Sequence, residues 1–130
     1  MEVILAKTAG FCYGVERAVE LAKRTAAEGG CVMLGSIIHN AALGARTVED
    51  VSQIQPGETV VIRSHGEPVE TYRALEEKGA RIVDATCPNV ARIHQLVAKA
   101  EAEGRTPLII GEARHPEVLA AASRSPHSVI

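Results

Sequence analysis

Apolar residues along this chain follow two alternating rhythms. Short unbroken apolar runs recur at residues 2–6 (EVILA), 31–34 (CVML), 59–62 (TVVI), 81–83 (RIV) and 107–110 (PLII). Runs of this length, bounded by turn residues and rich in Val and Ile, predict buried strands. Between them the apolar positions recur every three or four residues. Val15, Ala18, Val19, Ala22 and Ala26 form one such stripe, predicting a helix over 15–28 that Gly29-Gly30 stops. A second helix is expected over 68–78, ended by Gly79. A third, over 88–102, carries Ile93, Leu96 and Val97 and is opened by Pro88, since proline is favoured at a first helical position. A short helical segment at 118–122 follows. Residues 46–48 are a possible further strand, and 128–130 read as the start of another. Strands alternating with helices predict an α/β fold: βαβ units forming a parallel sheet, with helices on both faces.

Composition sharpens this picture. Apolar residues make up 46% of the 130 positions, enough for a packed core, while Phe11, Tyr13 and Tyr72 are the aromatic residues. An aliphatic core of this kind suits parallel strands covered by Ala-rich helices. The net charge of −2 comes from interspersed charges, which argues against a nucleic-acid partner or a membrane surface. No apolar run reaches the length of a membrane span. Met1-Glu2 leads straight into the first predicted strand, so no signal peptide is expected and a cytoplasmic location is. In that compartment three cysteines suit metal ligation or free thiols better than disulfides.

Candidate chemistry gathers at the ends of the strands. In a parallel sheet every strand finishes on the same edge, and ligands bind there. The residues that follow the predicted strands are Cys12, His39, His65, Cys87 and His115. Cys12 and Cys87 each stand just before a helix, where the helix dipole favours a thiolate that can bind metal or attack an electrophile. Imidazoles converging on the same edge suit a metal or an anionic substrate. Glu117, two residues past His115, is either a helix-dipole partner or a proton-transfer carboxylate. Asn40, Ser64 and Thr86 flank these positions as hydrogen-bonding candidates or as turn and cap residues. Cys31 begins a strand and is expected at the opposite edge in a structural role; His94 is expected to pack within its helix. Spacing alone leaves three options open: a zinc site, a Cys–His nucleophile, or an incomplete iron–sulfur site. A non-catalytic metal- or anion-binding α/β module is the alternative to an enzyme.

At these residues the chain resembles the LytB family of 4-hydroxy-3-methylbut-2-enyl diphosphate reductases. The matching pieces are GFCYGVERAV around Cys12, IIHN at His39-Asn40, VVIRSHG at His65, VDATCPNVARIH around Cys87 and GEARHPEV around His115 and Glu117. The resemblance implies an oxidoreductase with a [4Fe-4S] cluster held by three cysteines, two of which match Cys12 and Cys87. It implies that His39, Asn40, His65 and His115 bind the allylic diphosphate and that Glu117 helps deliver protons. Electrons would come from a ferredoxin or flavodoxin, and the products would be isopentenyl and dimethylallyl diphosphate. Family members are built as three similar α/β domains around the cluster. By that pattern residues 1–88 form a first domain and 89–130 the incomplete start of a second. The third cluster cysteine and a later Ser-x-Asn phosphate-binding group have no counterpart here. Residues 41–43 leave no room for the helix usual between the His-Asn pair and the next strand. The expectation is a chain that, by itself, neither holds a stable cluster nor turns over.

Overall fold

The computed structural model describes residues 2–4, 6–7, 10–36 and 45–130. Its centre is a four-stranded, all-parallel sheet of β1 (Val32–Leu34), β2 (Arg46–Val48), β3 (Thr59–Ile62) and β4 (Arg81–Asp84), in the spatial order β2-β1-β3-β4. Register pairs Val32 with Val60 and Leu34 with Ile62, so strand alternation sorts the apolar side chains onto two faces. One face carries Met33 and Val61, packed with Ala85 under α1 (Tyr13–Gly29) through Ala18, Val19 and Ala22. The other carries Val32, Leu34, Val48, Val60 and Ile62, packed with Ile54 and with Leu75 of α2 (Val69–Glu77). Both faces are covered, as the unbroken apolar runs require.

Helix boundaries follow local chemistry. Gly30, at φ +85°, turns the chain out of α1 while its N–H donates to the Ala26 carbonyl at 3.0 Å. Pro88 opens α3 (Pro88–Ala102) at both predicted limits. Pro116 starts α4 (Pro116–Ala122) two residues earlier than the apolar pattern suggested, because His115 caps it. A 3-10 turn, Val51–Gln53, was not expected; Asp50 and Gln53 form a reciprocal capping box around it. The far end of α4 docks on the start of α2. There the Val69 N–H donates to Ser123 Oγ at 3.1 Å, and Arg124 donates to the Glu67 carbonyl at 2.6 Å and lies over the Tyr72 ring.

Two predicted strands differ from the structure. In the run 2–6, the described residues Glu2–Ile4 and Ala6 form no strand, and Val3 and Ile4 are 79% and 86% exposed. An apolar run becomes a strand only where a neighbour supplies ladder bonds, and none of the four strands pairs with the described residues of this run. The run 107–110 makes one parallel bridge, Leu108 to Val129, with the Ile109 N–H donating to the Val129 carbonyl at 2.8 Å. Leu108 and Ile110 are exposed rather than buried. At 128–130 the same single bridge, at Val129, is all that forms of the expected strand start. The short connection at 41–43 lies outside the described residues.

Candidate active site

Cys87 is the hinge of the site. β4 ends at Asp84, and the chain passes Ala85 and Thr86 before α3 begins. The Asp84 carboxylate accepts the Thr86 N–H at 2.8 Å and the Thr86 hydroxyl as well. This local bond turns the chain away from the sheet direction. The Cys87 N–H donates to the Ser64 carbonyl at 2.9 Å, fastening this turn to the one that follows β3. Cys87 is the N-cap of α3 without using its side chain as a cap, so the thiol stays free; it is half-buried.

Cys12 occupies the corresponding position on α1, as its N-cap, exposed and also without a side-chain cap bond. The two helix starts touch. A Cβ added at Gly14 would lie 2.5 Å from Cys87 Sγ and 2.8 Å from its Cβ, so the sulfur rests directly on the first turn of α1. The missing side chain at Gly14 is the space that Cys87 fills. Cys87 thus rests on the first turn of the helix whose N-cap is Cys12, 75 positions earlier in the chain. Cys12 is delivered by the start of α1 rather than by a strand, since no strand precedes it among the described residues.

On the neighbouring turn stands His65. Gly66 follows at φ +73°, its N–H donating to the Arg63 carbonyl at 3.0 Å, so the chain reverses sharply after the imidazole. His65 and His115 meet edge to face, ring centres 6.0 Å apart and planes inclined by 63°. His115 Nδ1 accepts the Glu117 N–H at 3.3 Å. The neutral ring therefore carries its proton on Nε2. Burial pushes the His65 imidazole below its usual range, and the Arg63 and His115 charges push the same way; the nearby Glu117 carboxylate opposes them. Its Nδ1 is buried with no hydrogen-bond partner among the described residues.

The structure thus brings together the Cys12-capped start of α1 with Cys87, the Cys87 turn with the His65 turn, and His65 with His115 and Glu117. His39 and Asn40 lie outside the described residues. Among the described residues no set of three or more His, Cys, Asp or Glu side chains is arranged to hold a metal ion. Cys31 behaves as expected: it sits before β1, at the opposite end of the sheet, half-buried against the α1-side core, and burial raises its thiol.

His94 is buried in α3 as expected of a packing residue, but Nε2 has no hydrogen-bond partner among the described residues. Burial pushes it down to about 4, with the Arg124 charge adding to the effect and Asp84 opposing it. Sequence reasoning missed the supports behind the rim: Asp84, Tyr72, whose hydroxyl donates to Asp84 at 3.1 Å, and Arg17. Charged and phenolic residues spaced far apart carry no periodic signal, so their convergence is invisible before folding.

Comparison with known proteins agrees with these motifs. The family described as LytB protein matches residues 3–130. The 4-hydroxy-3-methylbut-2-enyl diphosphate reductase of Nitratidesulfovibrio vulgaris (strain DSM 19637 / Miyazaki F) is 44% identical over 127 residues, covering 91% of this chain and 45% of the relative. That of Aquifex aeolicus (strain VF5) is 41% identical over 128 residues, covering 92% and 44%. A solved structure of (E)-4-hydroxy-3-methyl-but-2-enyl diphosphate reductase superposes with a TM-score of 0.80 at 40% identity, over 94% of this chain and 46% of that one. The corresponding reductase from Plasmodium falciparum superposes with a TM-score of 0.87 at 26% identity, over 95% and 42%. The chain spans less than half the length of these relatives. No helix among the described residues is long and apolar enough to cross a membrane. With the thiol and histidine motifs of one rim matched over nearly its whole length, this chain belongs to the LytB family.

Proposed function

We propose that this chain is a portion of a 4-hydroxy-3-methylbut-2-enyl diphosphate reductase. The reaction is the two-electron reductive removal of the substrate hydroxyl to yield isopentenyl and dimethylallyl diphosphate. Cys12 and Cys87 are two ligands of a [4Fe-4S] cluster, and a further thiolate is supplied from outside this stretch, since Cys31 stands at the wrong edge. The observation that carries this reading is the seating of Cys87 Sγ on Gly14, beside the N-cap cysteine of the same helix. A Cβ-free cradle that seats one uncapped thiol on the helix whose N-cap is the other supports a shared soft-metal ligand set.

When bound, the cluster supplies electrons and a Lewis-acidic iron for the substrate hydroxyl. The chain's own residues do the rest. His65 and His115 hold the diphosphate, His115 through the Nε2–H that the Glu117 N–H contact on Nδ1 leaves pointing outward. His65 meets the anion from a half-buried position, where a hydrogen bond to phosphate is shielded from water. Glu117 holds a proton for transfer at its carboxylate. His39 and Asn40 complete the substrate contacts. Ferredoxin or flavodoxin is the electron donor, and the cytoplasm is the working compartment. The domain division at 88/89 belongs to the same proposal: α3 leaves the four-stranded sheet there, and the Leu108–Val129 bridge forms apart from it.

Anaerobic reconstitution with iron and sulfide tests this. The 130-residue chain alone should bind iron and sulfide weakly, losing both on gel filtration, and Cys12→Ser or Cys87→Ser should abolish even that uptake. Stable brown protein with sustained turnover would refute the incomplete ligand set. Uptake by both variants at the parent's level would refute the ligand assignment.

A further inference from the structure

We infer that Arg17 is a positioning residue that sets the placement of Cys12 relative to Cys87. The inference rests on the proposal that these two thiols act together. Arg17 lies on α1, one turn beyond the cysteine-bearing end. Its Nη1 donates to the Thr86 carbonyl at 3.1 Å, joining residues 69 positions apart. That carbonyl belongs to the peptide immediately before Cys87. The rest of the same turn is already anchored: the Thr86 N–H and hydroxyl on Asp84, the Asp84 carboxylate under the Tyr72 hydroxyl, and the Cys87 N–H on the Ser64 carbonyl. These bonds tie the Cys87 turn to the sheet. Arg17 ties it to the helix that carries Cys12.

The packing of α1 shows why such a clip matters. The helix meets the sheet through Ala18, Val19 and Ala22. Small apolar contacts resist separation, because burial is favourable, but they have little directional preference against sliding or rotation along the helix axis. The contact of Gly14 with Cys87 limits approach from one side without pulling the two together. A guanidinium donating to a carbonyl is a directional, charge-assisted bond with a defined length. It therefore fixes the axial position of α1, and with it Cys12, against the Cys87 turn.

Phenylarsine oxide probes this without a cluster, because each arsenical bonds two thiols and releases one water. In a Cys31→Ser background the parent should take one arsenical per chain, with Cys12 and Cys87 both blocked to alkylation. Arg17→Met should weaken that affinity by roughly tenfold, as expected for losing one charge-assisted bond, while the folded chain keeps its sheet signature. Arg17→Lys, which retains a donor, should recover part of the loss. Should Arg17→Met not fold, Arg17→Gln carries the comparison, its side chain being too short to reach the carbonyl. A folded variant with lowered melting temperature but parental affinity would mean that Arg17 only stabilises, and would overturn this inference alone. A parent that fails to bridge Cys12 and Cys87 overturns the shared-ligand reading and this inference with it.

Discussion

Gly66→Ala should destabilise the chain by roughly 2–5 kcal/mol, combining a left-handed backbone penalty of about 1–2 kcal/mol with overpacking of about 1–3 kcal/mol. Gly66 sits at φ +73°, and a Cβ there would lie 2.7 Å from His94 Cε1 and 3.1 Å from Thr86 Oγ1. Neither neighbour yields easily. His94 is buried in α3, and Thr86 is held on Asp84 in the turn before Cys87. Gly57→Ala is the control, since Gly57 has φ +81° with nothing within 4 Å of the added carbon. It should show the backbone penalty without the collision. Urea unfolding of both variants separates the two costs, and equal losses would remove the packing argument. Because Gly66 joins the His65 turn to the Cys87 turn, its substitution should also weaken two-thiol binding, whereas Gly57→Ala should leave it at the parental level.

Acidification should unfold the chain earlier than its carboxylates alone would require, and His94 is the cause. Its imidazole is pushed from an ordinary 6.5 down to about 4 by burial, with Arg124 adding to the shift. The folded state therefore binds this proton less readily than the unfolded one. Stability is intact above the unfolded pKa of about 6.5 and falls progressively as pH drops toward 4. The full loss is on the order of 3 kcal/mol. His65 is shifted in the same direction by burial and adds to the loss. Glu67 works against it: burial raises its carboxyl, so its protonation above the ordinary carboxylate range favours the folded chain. Asp50, Glu58 and Glu101 are lowered by hydrogen bonds and lose their contribution only at more acid pH. His94→Leu should flatten the decline between pH 6.5 and 4.5, with neutral stability equal to the parent or better, because an unpartnered buried nitrogen disappears with it. Urea midpoints measured across that range decide the matter. An acid limb unchanged in His94→Leu would rule His94 out as its source.

What could be read before folding depended on how local the cause was. α3 was legible at both ends because Pro88 starts it and its side chains repeat at helical spacing; both signals lie within the segment. The 3-10 turn at Val51–Gln53 was equally local, with Asp50 and Gln53 at capping-box spacing, and was missed only because no apolar pattern drew attention to it. The runs at 2–6 and 107–110 look as apolar as TVVI in β3, yet only TVVI acquired neighbours on both sides. Strand formation is decided by partners elsewhere in the chain, and an apolar run cannot report whether they are present. Both cysteines stand at helix starts as expected, and those starts touch, but the start of α1 rather than a strand carries Cys12.

By itself the sequence determined the helices bounded by Pro and Gly, the α/β class, the family resemblance, and the placement of both cysteines at helix starts. All of these are set by residues within a few positions of one another. Only the tertiary structure decided that Cys87 rests on Gly14, that His65 meets His115, that Arg17 holds the Thr86 carbonyl, and that His94 is sealed in without a partner. Each of those depends on two segments far apart in the chain being packed to within ångströms, and that distance is set by the shape of the whole core.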